Sequence, residues 1–139
     1  MEGQTVDGSC LCGAVRYRIS PPFTWFQYCH CSRCRKNTGS AHNANILIKE
    51  DHLQWLAGEE LRGRYQVPEA KSYSTCWCTL CGSALPWTTK NGEWVLVPAG
   101  GLDEDPGVRP ERNIFVASKA PWYEHAAELP TFDTVPGRD

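Results

Sequence analysis

Apolar residues along the chain come in short clusters rather than in long periodic stretches. AVRYRI (14–19), NILIK (45–49), GRYQV (63–67), SALPWTT (83–89), EWVLVP (93–98) and NIFVAS (113–118) are rich in β-branched and aromatic residues and are bounded by Gly, Pro, Asn or Asp. That pattern predicts strands, and their regular spacing predicts antiparallel sheets. Between the first two lies CHCSRCRKNTG (29–39), whose middle predicts one or two helical turns ended by Gly39 in the left-handed conformation. Asn91-Gly92 predicts a type I′ turn, with positive φ at both residues, joining strands 83–89 and 93–98. No repeat, low-complexity tract or linker interrupts the pattern. The expectation is a single mainly β domain over residues 1–130 with little helix, and a loosely held tail over 131–139.

Composition changes this picture at one point. A chain of 139 residues suits one domain, and 41% hydrophobic with 22% charged residues is ordinary. Eight Cys and six Trp against a single Met are not. A net charge of −2 gives no field that would gather phosphates, so nucleic acid is not the expected partner. MEGQTVDGSC has neither a basic leader nor an apolar run, and no stretch approaches the ~20 apolar residues of a membrane span. The expected setting is therefore the reducing cytoplasm, with no membrane partner and with thiols rather than disulfides. A homodimer is neither required nor excluded.

The cysteines fall into three groups: Cys10 with Cys12; Cys29 with Cys31 and Cys34; Cys76 with Cys78 and Cys81. Short spacings of this kind bring two or three sulfurs to one point, as tetrahedral zinc requires. Cys10, Cys12, Cys78 and Cys81 make the natural four-ligand pairing, with Gly13 and Gly82 relieving the backbone after each loop. Such a closed site is structural. Cys29, Cys31 and Cys34 offer three thiolates and no obvious fourth, the pattern of a metal with one open position. An alternative is a second structural site closed by Cys76, His30 or His42; Cys76 also reads as an unused thiol. A thioredoxin-like role for Cys78 and Cys81 would need a βαβ context that this strand-rich chain lacks. His42, His52 and His125 have no partner at ligand spacing and read as surface or structural residues.

GSCLCGAVRY, YCHCSRCRKNTGS, CWCTLCGSALPW, PAGGLDEDP and NIFVASKAPWYE occur in this order over nearly the whole chain. In them the sequence resembles the glutathione-dependent formaldehyde-activating enzyme family, which shares its domain type with centromere protein V. The resemblance implies an Mss4-like fold, a structural zinc on Cys10, Cys12, Cys78 and Cys81, and a catalytic zinc on Cys29, Cys31 and Cys34, two ions per chain. It also implies a carbon–sulfur lyase acting in reverse, joining glutathione to formaldehyde or a similar small aldehyde. The same fold also serves non-enzymatic modules that bind other proteins, the alternative reading. Two positions depart from the family pattern: Asn113, where His is frequent, and Cys76.

Within that expectation, His30 is the candidate proton donor, its ordinary pKa lying near ~6.5. The basic residues Arg33, Arg35 and Lys36 are candidates for holding the carboxylates of a tripeptide thiol. Asn113 is a hydrogen-bonding candidate that cannot exchange protons at neutral pH. Lys119 and Trp122, with Tyr123, are candidate pocket-wall residues.

Overall fold

Burial alternates along Val6–Ser9, Arg16–Ile19, Ser74–Cys78 and Val95–Pro98 in the computed structural model, which describes residues 2–124 and 126–137. The strands are β1 (Val6–Ser9), β2 (Arg16–Ile19), β3 (Trp25–Cys29), β4 (Asn43–Ile48), β5 (Leu53–Ala57), β6 (Arg62–Gln66), β7 (Ser74–Cys78), β8 (Trp87–Thr88), β9 (Val95–Pro98) and β10 (Arg112–Ile114). They form a three-stranded sheet in the order β1-β2-β5, a five-stranded sheet in the order β10-β3-β4-β9-β8, and the pair β6-β7. One α-helix, α1 (Ser32–Thr38), stands among the described residues. No helix there is long and apolar enough to cross a membrane.

Register explains what each face of the five-stranded sheet carries. Phe26 opposes Ile46, Ile46 opposes Val97, and Ile48 opposes Val95. These side chains share one face and enter the core with Val6, Val15, Tyr17 and Ile19 from the three-stranded sheet region. Side chains two residues apart stay on one face and neighbours alternate. The opposite face therefore receives Gln27 and Cys29 from β3, Asn43 and Asn45 from β4, and Leu96 from β9. Trp25, Leu47 and Pro98 share this face, but it alone of the two gathers Gln27, Cys29, Asn43 and Asn45, which makes it the chemically equipped side of the sheet.

The mainly β expectation holds, with three corrections. The sheets are not all antiparallel: β10 runs parallel to β3, Asn113 beside Tyr28 and Ile114 beside Cys29. The run NIFVAS is a strand only to Ile114, because Phe115 turns into the left-handed region at φ 55 and a 3-10 turn follows over Val116–Ser118. Strands β8 and β9 do pair, but not through a type I′ turn. Only Gly92 has positive φ, at 74. The Asn91 side-chain oxygen accepts from the Glu93 N–H at 3.0 Å and the Thr89 hydroxyl at 2.7 Å, a self-bonded turn that needs no positive φ at Asn91.

One glycine is fixed by close approach. Gly58 sits at φ 72, and a Cβ built there would overlap the carbonyl oxygen of Ala14. Gly58→Ala should therefore lose at least about 2 kcal/mol of stability, from the left-handed backbone together with the overlap. Denaturant unfolding checks this; an unchanged midpoint would remove the packing of this turn against Ala14.

Candidate metal centres and the adjoining cavity

Two cysteine turns, each closed by a glycine N–H, build the first cluster. Gly13 donates its backbone N–H to the Cys10 carbonyl at 3.0 Å, and Gly82 donates to the Cys78 carbonyl at 2.7 Å, with φ of 80 and 78. Ser83 ties the turns together: its hydroxyl oxygen accepts from the Leu11 N–H at 2.8 Å and lies 3.2 Å from Cys81 Sγ. Cys10 Sγ is 3.6 Å from Cys12 Sγ, which is 3.9 Å from Cys78 Sγ, and all four sulfurs lie within 4.8 Å of one another. The edge of a tetrahedron with metal–sulfur bonds of ~2.3 Å is about 3.8 Å. The donor set thus suits a tetrahedral thiophilic ion.

Electrostatics agree with that fit. Hydrogen bonds from the Ser83 side chain and backbone bring the Cys81 thiol down to about 5. At Cys12 the Ala14 N–H favours the thiolate, but neighbouring Cys10 and the other sulfurs outweigh it and push the thiol up to about 11. Sulfurs this close do not all ionise without a cation to offset their repulsion.

The second cluster forms where β3 passes into α1. Cys29 is the last residue of β3, Cys31 is the N-cap of α1, and Cys34 lies in its first turn. Cys31 Sγ accepts from the Cys34 N–H at 3.3 Å, so a ligand sulfur also starts the helix. The three sulfurs lie within 4.8 Å of one another. The Tyr73 hydroxyl donates to Cys34 Sγ at 3.4 Å. A hydrogen bond from Cys34 lowers the Cys29 thiol to about 6, while the same contact and burial push the Cys34 thiol upward. Both clusters have the donor chemistry to hold a metal ion, and all eight cysteines are free thiols.

Among the described residues no fourth Cys, His or carboxylate joins the second cluster. Alternation along the extended CHC segment turns His30 to the other side. Its buried Nε2 lies 2.9 Å from Asn113 Oδ1, its backbone N–H donates to the Ile114 carbonyl at 3.0 Å, and its ring is 5.0 Å from His42 and 5.1 Å from Tyr123. His42 stacks on Tyr28 at 4.3 Å. His52 lies 3.3 Å from the Ser20 hydroxyl, and His125 falls outside the described residues. Cys76 is buried opposite Arg64 in the β6-β7 pair, apart from both clusters, and burial raises its thiol.

Cys10 of the first cluster touches a cavity of about 700 Å³, whereas all three cysteines of the second border one of about 480 Å³. Arg33 lines the latter, and among the residues that motif reading did not single out so do Gln27, Asn45, Lys71, Tyr73 and Trp87. Arg35, Lys36, Asn113, Lys119 and Trp122 do not; Trp122 is 64% exposed, and Asn113 is bonded to His30. A polar Asn at a buried position of β4 was the available signal for Asn45. Tyr73 and Trp87 lie 39 and 53 residues beyond Cys34, and no local spacing points to them.

Comparison with known proteins gives three findings. The family model described as glutathione-dependent formaldehyde-activating enzyme matches residues 5–118. A Halomonas elongata protein named "Putative glutathione-dependent formaldehyde-activating enzyme" is 31% identical over 137 residues, covering 86% of this chain and 80% of that protein. A crystal structure of a Rhodobacter sphaeroides protein superposes with a TM-score of 0.60 at 24% identity, covering 77% of this chain and 97% of the other, a likeness of fold.

Proposed function

The chain belongs to the glutathione-dependent formaldehyde-activating enzyme family, and from that premise we propose that it joins a small thiol, glutathione, to formaldehyde or a similarly small aldehyde. The reaction is the synthetic direction of a carbon–sulfur lyase. Thiol sulfur bonds to the carbonyl carbon, the C=O π pair moves to oxygen, and the proton lost by the thiol returns to that oxygen, giving a hydroxymethyl thioether.

The observation that carries this reading is the contrast between the clusters: four thiols make up the first, of which Cys10 alone touches a cavity, whereas the second has three thiols and all of them border one. We assign zinc to both. On Cys29, Cys31 and Cys34 it would supply an open position that keeps an incoming thiol deprotonated at neutral pH, where a free thiol with pKa of about 8.5 is mostly protonated.

The chain's own residues do the rest. The Cys34 N–H and the Tyr73 hydroxyl hold two of the three sulfurs in place. Arg33, exposed at the cavity wall, offers a bidentate donor to a carboxylate of the thiol substrate. Holding thiol and aldehyde together in one cavity replaces an encounter of dilute molecules, a large source of acceleration. His30 faces Asn113 rather than the cavity, so it is assigned to positioning: it ties the end of β3 to β10.

The test is two-dimensional exchange NMR on glutathione with formaldehyde, with and without metal-replete protein. The expected result is exchange well above the spontaneous rate. Equal rates would leave a different substrate or a zinc module that binds another protein.

A further inference from the structure

Asn45 is fully buried, yet neither its amide nitrogen nor its amide oxygen has a hydrogen-bond partner. Leaving such groups unpaired costs roughly 1–3 kcal/mol each, so buried amides in folded proteins are almost always satisfied. Asn45 opposes Gln27 on the chemically equipped face of the five-stranded sheet, diagonal to Cys29. It lines the cavity that the three thiols border. Trp87 lines the same cavity, is 5% exposed, and has a buried indole N–H without an acceptor. Gln27 differs: its side-chain oxygen accepts from Arg112 Nε at 2.8 Å, and that guanidinium lies over the Trp25 ring at 3.5 Å. The buried polar groups of this cavity wall left without a partner are therefore an amide and an indole N–H, both neutral at all ordinary pH.

We infer that Asn45 and Trp87 form a subsite for the oxygen of a small carbonyl compound, the second substrate of the reaction proposed above, on which this inference rests. An amide suits both ends of that reaction. Its N–H donates to the carbonyl oxygen and more strongly to the alkoxide that forms as the carbon–sulfur bond is made. Its C=O accepts the O–H of the hydroxymethyl product. Neutral donors also suit a fully buried position, where a charge would have to be desolvated; the cations of this wall, Arg33 and Lys71, are exposed. The unpaired amide is thus a cost in the free protein that the bound oxygen removes, a stability–function conflict of the kind expected at a binding site.

That conflict separates this role from a structural one. Asn45→Leu replaces two unpaired polar atoms by methyl groups in a side chain with the same number of heavy atoms, and is expected to raise the melting temperature while lowering kcat roughly 100-fold, the usual effect of deleting one such donor. Trp87→Phe should lower kcat about 10-fold, in line with loss of one neutral hydrogen bond. A measurement independent of turnover uses formamide, an unreactive carbonyl of similar size, as probe. In metal-replete protein the side-chain NH₂ signals of Asn45 should shift saturably on titration, and Asn45→Leu should lose formamide binding. If the wild type binds formamide in this way but does not accelerate addition to formaldehyde, the subsite stands and the proposed reaction falls. Wild-type kcat in Asn45→Leu, a lowered melting temperature there, or unmoved Asn45 signals would each overturn the subsite.

Discussion

Cys78→Ser is expected to leave the protein unfolded. Cys78 is fully buried at the end of β7, its sulfur 3.9 Å from that of Cys12 in the N-terminal turn. The cluster it completes joins residues 10–12 to residues 78–81, the exit of β1 to the exit of β7. A structural four-thiolate zinc contributes on the order of 10 kcal/mol, whereas a domain of this size has roughly 5–15 kcal/mol in total. Removing one of four ligands therefore exhausts most of the margin. Near-ultraviolet circular dichroism and amide proton dispersion should both collapse. Native spectra with an unchanged unfolding midpoint would show that the four-sulfur cluster is not what ties these halves together.

The opposite outcome is expected for Cys31→Ser: a folded protein without catalysis. Cys31 is half-buried and caps α1, accepting the Cys34 N–H through its sulfur. Serine is among the preferred N-cap residues, so its hydroxyl takes over that hydrogen bond and α1 is retained. What is lost is one of the three sulfurs beside the cavity, and exchange between glutathione and formaldehyde should fall to the spontaneous rate. Wild-type exchange in folded Cys31→Ser would remove the three-thiol cluster from the reaction. Loss of fold equal to that of Cys78→Ser would erase the division between a structural and a working site.

The two clusters were legible in the sequence because metal ligation depends on local spacing: CxC and CxxC loops present adjacent sulfurs wherever the loop is placed. Strands β2, β4 and β9 were legible for a related reason, their β-branched and aromatic runs being bounded by turn residues. β1 was not, since VDGS reads as a turn; Gly8 is there because the Tyr17 ring occupies the space a Cβ would need. β7 was hidden beneath its own cysteines, STCWC reading as a ligand loop when it is a strand paired with β6. The parallel pairing of β10 with β3 brings Asn113 to His30 across 83 residues, and no pattern of period two encodes such a partner. That pairing, with the alternation in CHC, is what moves His30 out of the cavity. For the same reason the walls of the cavity were invisible: Tyr73 reaches it from the residue before β7, and Trp87 from β8, the edge strand of the five-stranded sheet.

The central claim is that one thiolate cluster is complete and the other needs a sulfur from outside. Metal-edge X-ray absorption on protein loaded with two zinc ions, recorded before and after glutathione is added, tests it directly. Four sulfurs at one site and three at the other give an average of about 3.5 per ion, rising to about 4 when the thiol binds. An average of 4 before any thiol is added, or no change on its addition, would contradict the account.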